Sequence, residues 1–161
     1  SEEIGRAAVP SPLSATLMAT MVLRAANATA CLERIAGGEA ASLAITPESG
    51  AWGPGDTEVE VRSSGGKTTL HGRAAFVQDA RKVSFFVVAA RGKAGVGLYA
   101  VPTGAPGLTL TPDRIVDLTR DQATVTFSNV DGYQARWCTA PIGAEYREYG
   151  GEVIAFVPGG W

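Results

Sequence analysis

The chain changes its hydrophobic period once, at Gly37-Gly38. From Ser11 to Ala36 apolar residues recur at helical spacing, with Leu13, Leu17 and Met21 four apart and Met18, Val22 and Ala25 in the neighbouring positions. Past Gly38 that period is gone, and short β-type runs separated by Gly, Pro, Ser and Asp take over. A switch of this kind divides the chain into a helical segment and a larger β region, built as a barrel or a sandwich.

Within the helical part, Ser11-Pro12 reads as an N-cap followed by a first-turn proline, and Gly37-Gly38 as the stop. Asn27 interrupts the pattern and allows a second short helix from about Thr29 to Ile35. In the β region the strands are Ser42 to Thr46, Glu58 to Arg62, Thr68 to Val77, Val83 to Ala90, Gly97 to Val101, Leu108 to Leu110 and Ala123 to Phe127. Glu58, Glu60 and Arg62 alternate with Val59 and Val61, which puts one face in water and the other on a core. Ser63-Ser64-Gly65-Gly66 reads as the turn of a hairpin. The run from Val83 to Ala90 is apolar on both faces, so something must pack over the sheet there.

With 161 residues, 45% hydrophobic and 19% charged, the chain is long enough and apolar enough for one globular domain, which excludes disorder throughout. A net charge of −2 with scattered basic residues excludes a nucleic acid or an anionic membrane surface as partner. Leu13 to Ala26 is broken by Ser14, Thr16, Thr20 and Arg24 and falls short of the roughly 20 apolar residues of a membrane span. Ser1-Glu2-Glu3 carries the wrong charge for a signal peptide and lacks an initiating methionine, so an engineered or internal start is expected. Cys31 and Cys138 are expected to be reduced, as in a cytoplasmic protein. The Asn27-Ala28-Thr29 sequon carries little weight.

Other chemistry is sparse. His71 is the sole histidine, which leaves no His-rich zinc site within one chain, and it reads as a surface residue; no metal is expected. Cys138 has no Cys-His motif around it and reads as an inert thiol, and Glu145 and Glu148 as part of a solvated turn or a helix face. Gly92, Gly95 and Gly97 lie between strands without the following helix that a phosphate-cradling loop needs.

Four stretches in order resemble the acyl-CoA dehydrogenase family. Gly5-Arg6-Ala7-Ala8-Val9-Pro10-Ser11-Pro12 with its helix, and Leu32-Glu33-Arg34-Ile35-Ala36-Gly37-Gly38-Glu39, are similar to the family's last N-terminal helices and the turn into its barrel. Leu43-Ala44-Ile45-Thr46-Pro47-Glu48-Ser49-Gly50 resembles the flavin loop, with Pro47 and Glu48 in swapped order. Leu70-His71-Gly72-Arg73-Ala74-Ala75-Phe76-Val77-Gln78-Asp79-Ala80 resembles the strand along the flavin ring, with Phe76 where many members have tryptophan. Asp117-Leu118-Thr119-Arg120 and Ala123 to Val130 resemble the closing strand.

The resemblance covers residues 5 to about 131 and implies three parts: a helical segment over 1–37, a middle β-barrel domain over 38–131 and an atypical tail over 132–161, where Val153 to Val157 could add a strand. The fold class it implies is α+β, mainly β: a helical segment followed by an antiparallel β-barrel of seven or eight strands. It implies FAD as cofactor, contacted by Thr46, Gly50, Phe76, Val77 and Gln78, with the loop at Thr46 also bordering an acyl-CoA thioester. In the family the glutamate that removes the substrate proton sits in a C-terminal helical domain that nothing after Val130 resembles. The expected function is therefore the flavin and acyl-CoA binding portion of such a protein, truncated or frame-shifted, without dehydrogenase turnover alone. Alternatives are a small hydrolase built on the barrel and a non-catalytic interaction fragment. No residue is assigned a catalytic role. A homodimer is expected, because Leu13, Leu17, Met18, Met21 and Val22 would otherwise lie in water.

Overall fold

The computed structural model describes residues 2–7, 9–51, 53, 55–64, 67–93, 95–117, 119–131, 141–142, 146–149 and 152–155, the last three ranges by backbone alone. Three helices come first: α1 (Glu2–Arg6), α2 (Leu13–Ala25) and α3 (Thr29–Ala36). The strands are β1 (Ala41–Ala44), β2 (Glu60–Ser64), β3 (Lys67–Gln78), β4 (Phe85–Gly92), β5 (Gly95–Pro102), β6 (Leu108–Pro112), β7 (Gln122–Asp131), β8 (Pro141–Ile142), β9 (Tyr146–Tyr149) and β10 (Glu152–Ala155). The class is α+β and mainly β, with the helix-to-strand switch where the period changes.

Local chemistry accounts for the helix boundaries. Asn27 separates α2 from α3 with a φ of 51°, a left-handed conformation that Asn tolerates better than most residues. Pro12 rather than Ser11 takes the position before α2, and no side chain caps it. After α3 the chain turns away through Gly38, at φ 100°.

The helix α2 lies where the spacing predicts it, but turned. Ala15, Ala19 and Leu23 are buried, whereas Leu13, Leu17, Met18 and Met21 face outward. Alanines allow close approach to β1, where the Ala41 amide donates to the Thr16 hydroxyl at 3.2 Å.

The sheet runs β6-β7-β3-β2-β4-β5-β8, with β1 paired to β4 off this path. It is open and mixed, which corrects the closed antiparallel barrel that the sequence predicts. β1 runs parallel to β4 from Ala41↔Phe85 to Ala44↔Val88, and β2 joins β4 in parallel at Glu60↔Arg91. The chain reaches β4 from β1 only after the β2–β3 hairpin, a connection long enough to bring it back in the same direction. Among the described residues the end strands β6 and β8 do not pair with each other. The hairpin itself is found, closed by Ser64↔Lys67; Gly65 and Gly66 lie outside the described residues.

Strand β4 divides the interior in two. Phe86, Val88 and Ala90 join Val59, Leu70, Val77, Val125 and Phe127 in a core around which the sheet curls. The alternate residues Phe85, Val87 and Ala89 meet Ala19, Leu23 and Cys31 from the helices. The two-sided apolar run thus has a cover on each face, and it is α2 with α3 that packs over the sheet. Burial worth about 25 cal/mol per Å² on both faces makes β4 the strand that ties helices to sheet.

In the tail, β8 pairs with β5 through Val96↔Ile142, and β10 pairs with β9 from Glu152↔Tyr149 to Ala155↔Tyr146. β10 overlaps the expected added strand at Val153 to Ala155 and pairs with β9 in a separate two-stranded sheet; Phe156, Val157, Cys138 and Glu145 lie outside the described residues. Cys31 is disulfide-bonded, contrary to the expected reduced thiol.

Candidate functional site

The segment after β1 and the end of β3 meet at one rim of the sheet. Beyond Ala44 the chain runs on to Thr46, whose carbonyl accepts the Ala75 amide at 2.8 Å. It then turns: the Gly50 amide donates to the Pro47 carbonyl at 3.0 Å, and Gly50 takes a φ of 73°. Glycine adopts that angle at no steric cost.

Opposite, β3 carries a bulge. Ala74 pairs with Val125 and Val77 with Ala123, so Ala75 and Phe76 together face a single step of β7. The bulge re-aims one side chain. Phe76 takes a φ of 57° and its residue is 48% exposed, while Val77 beside it is buried. An outward aromatic ring on a left-handed backbone costs both burial and conformational energy, about 1–3 kcal/mol for the latter. Plain strand alternation does not show this.

Below the bulge, the Ser42 hydroxyl donates to the Gln78 carbonyl at 2.6 Å, fixing β1 to the end of β3. Thr46 is half-buried, and its hydroxyl makes no hydrogen bond to any described residue, although those of Ser42 and Thr57 are both satisfied. Thr46, Gly50 and Phe76 therefore line the rim from two segments that meet at the Thr46–Ala75 bond. Gln78 supports it through its carbonyl, and Val77 belongs to the core beneath.

The carboxylates Glu48, Glu58 and Asp79 flank the rim, and each is paired. Arg73, on β3, bridges Glu48 of the turn and Glu58, its Nε lying 3.1 Å from Glu58. The Glu48 amide donates to the Glu58 carboxylate at 3.3 Å. The hydrogen bond that Arg73 donates to Glu58, then the charge of Glu48, raises the Arg73 pKa above its usual range. Asp79, with a φ of 50°, is paired to Lys82 at 3.3 Å.

The C-terminal end of β3, beside the rim, is clamped by a buried acid. Asp121 precedes β7 with its side chain 2% exposed, and its carboxylate accepts the Arg81 Nε at 2.7 Å and the Arg81 amide at 3.0 Å. Its carbonyl accepts the Asp79 amide at 2.7 Å. Burial pushes the Asp121 carboxyl up, but the hydrogen bonds and charge of Arg81, with Lys82, outweigh it and leave the group below its ordinary value. Neither the Arg73 bridge nor this clamp was legible from spacing, because each joins residues of different strands.

His71 is half-buried, with a ring nitrogen 3.1 Å from the Thr69 hydroxyl, which also donates to the Arg62 carbonyl at 3.5 Å. Among the described residues no group of three His, Cys, Asp or Glu is arranged to hold a metal. No described helix is long and apolar enough to cross a membrane.

No family model matches the sequence, and no curated protein matches it. Solved structures do. The chain is similar to a glutaryl-CoA dehydrogenase from Mycobacterium smegmatis in complex with FADH2, at 20% identity over 67% of this chain and 28% of that one, with a TM-score of 0.56. It is similar to an acyl-CoA dehydrogenase from Geobacillus kaustophilus at 18% identity, 65% and 30% coverage and a TM-score of 0.56. A protein described as a probable acyl-CoA dehydrogenase from Mycobacterium abscessus matches at 19% identity, 70% and 32% coverage and a TM-score of 0.60. At these identities the likeness establishes the fold, and the chain spans less than a third of each of these structures. The fold is that of a portion of the acyl-CoA dehydrogenases.

Proposed function

We propose that the rim formed by the Thr46–Gly50 turn and the β3 bulge is the edge at which this protein holds FAD and borders an acyl-CoA thioester, within an acyl-CoA dehydrogenase-like assembly. The observation that carries the reading is the pairing of an unengaged, half-buried Thr46 hydroxyl with an outward Phe76 held at φ 57°. A flavin ring needs hydrogen-bond donors at its polar edge and an apolar wall against its face, and this rim offers one of each. Bound flavin would supply the electron-accepting chemistry. The chain's own residues position the hydroxyl through the Thr46–Ala75 bond, exclude water with Phe76, and hold β1 to β3 through Ser42.

Glu48, Glu58 and Asp79 are engaged by Arg73 and Lys82, and the reading assigns none of them the role of base. Proton removal falls to another part of the assembly, and this chain alone should not reduce an electron acceptor with acyl-CoA. Thr46→Val and Phe76→Ala test the site. Each should weaken FAD binding, measured by quenching of flavin fluorescence, by roughly tenfold, as expected for loss of a hydrogen bond or an apolar contact worth about 1.4 kcal/mol. Unchanged affinity in both variants, with the fold intact by circular dichroism, would move the site elsewhere. The same reading includes pairing of two copies of the chain.

A further inference from the structure

The turn after Thr46 is tied to the sheet by one small charge cluster. The Glu48 carboxylate, in that turn, meets Arg73 of β3, and the Glu48 amide donates to one Glu58 carboxylate oxygen at 3.3 Å. The other Glu58 oxygen accepts the Arg73 Nε at 3.1 Å. The three residues close a ring, and among the described residues no other hydrogen bond or ion pair joins residues 47–50 to another segment.

Two members of the ring are fixed by what lies beneath them. Arg73 stands on β3, between β2 and β7, where its backbone pairs with Thr126. Glu58 is held between the buried Thr57, whose hydroxyl donates to the Ala89 carbonyl at 2.6 Å, and the fully buried Val59. Its carbonyl lies so close to Gly72 that an added Cβ there would overlap it. Glu48 is exposed, so the turn is the part that the ring holds in place.

We infer that Arg73 is a positioning residue for the Thr46 hydroxyl, which it holds toward a flavin ring by clipping the turn at Glu48; this rests on the reading of the rim as the flavin edge. Thr46 follows β1 and is fixed at its carbonyl by the Ala75 amide at 2.8 Å. On its other side stands the buried Pro47, which keeps the backbone of the preceding residue out of the helical region, and then Glu48. A turn that swings at Glu48 therefore carries Pro47 and the Thr46 torsions with it. Charge speaks against a direct contact of Arg73 with the phosphates of FAD, because two carboxylates meet one guanidinium and leave the cluster negative.

Quenching of flavin fluorescence by the full chain, with FAD and with riboflavin, which has the ring but no phosphate, tests the inference. Arg73→Met keeps the aliphatic stem and removes the charge. It should weaken both ligands equally, by roughly two- to fivefold, the scale of an exposed charge pair. Glu48→Gln, from the exposed side of the ring, should give the same loss. In the Thr46→Val background Arg73→Met should have no further effect, because the two residues act as one unit. Without any ligand, amide exchange at Gly50 should quicken by a similar factor in Arg73→Met. A loss for FAD but not for riboflavin would make Arg73 a phosphate contact and overturn the inference. So would additive losses from Thr46→Val and Arg73→Met, or affinities equal to wild type in both ring variants; in these cases wild type binds flavin and the reading of the rim stands. Wild type that binds neither ligand overturns that reading and this inference with it.

Discussion

Replacing Asp121 by Asn should destabilise the fold at neutral pH and lose that effect in acid. The carboxylate accepts the Arg81 Nε at 2.7 Å and the Arg81 amide at 3.0 Å, from a side chain 2% exposed. Asn keeps the volume but only one acceptor oxygen, so the loss is the charge together with one of the two hydrogen bonds from Arg81. Hydrogen bonds to a buried charged group contribute about 1.5–3 kcal/mol, and the solvent-exposed Arg81 end argues for the lower figure, about 1.5 kcal/mol. Asp121→Ala also leaves the Arg81 amide without an acceptor, which brings the cost to about 3 kcal/mol. Urea unfolding followed by far-ultraviolet circular dichroism reads this directly. With a slope of about 2 kcal/mol per M, the Asn variant should unfold about 0.7 M earlier at pH 7. Net of burial, which acts the other way, Arg81 and Lys82 hold the Asp121 carboxyl below its ordinary value of 3.8. A group depressed by folding stabilises above its unfolded pKa and stops doing so as pH falls through its folded one. The gap between wild type and Asp121→Asn should therefore hold from pH 7 to about 5, begin to narrow near pH 4 and go on closing as pH falls further. Equal midpoints at pH 7, or a gap that does not narrow at all between about pH 5 and pH 2, would refute the clamp.

Gly72→Ala should cost about 2–4 kcal/mol, because Gly72 has a φ of 122° and an added Cβ would fall on the Glu58 carbonyl; the same urea assay measures it, and a change under 1 kcal/mol would mean that β2 does not cross β3 so closely. Leu23→Ala should cost about 2–5 kcal/mol, since Leu23 is fully buried between α2 and the sheet. Thermal unfolding of that variant within a degree or two of wild type would show that the helices are not docked on β4.

The parts of the fold that were legible in the sequence are those where one residue type had one physical use. Asn27 could break the helical run, Gly37-Gly38 could end it, and the doubly apolar Val83 to Ala90 had to be covered on both sides, as β4 is. The facing of α2 was not legible, because alanines on one side and Leu and Met on the other are both apolar, and periodicity alone cannot say which meets the sheet. The small side won by allowing closer approach. The parallel pairing of β1 and β2 with β4 was hidden for a different reason: it depends on where the β2–β3 hairpin returns the chain. At the site, Thr46, Gly50, Phe76 and Gln78 were reached through resemblance to a family rather than from spacing. A bulge breaks the alternation that would otherwise have placed Phe76 inside, and the Arg73 bridge and the Asp121 clamp join positions far apart in the chain.

Equilibrium dialysis of the purified chain against FAD, followed by the absorbance spectrum of the protein compartment between the near-ultraviolet and the blue, tests the central claim most directly. The account predicts excess flavin retained with the protein at a stoichiometry near one per chain, its band shifted by the less polar rim. Equal flavin on both sides of the membrane at every protein concentration, with the protein folded, would contradict it.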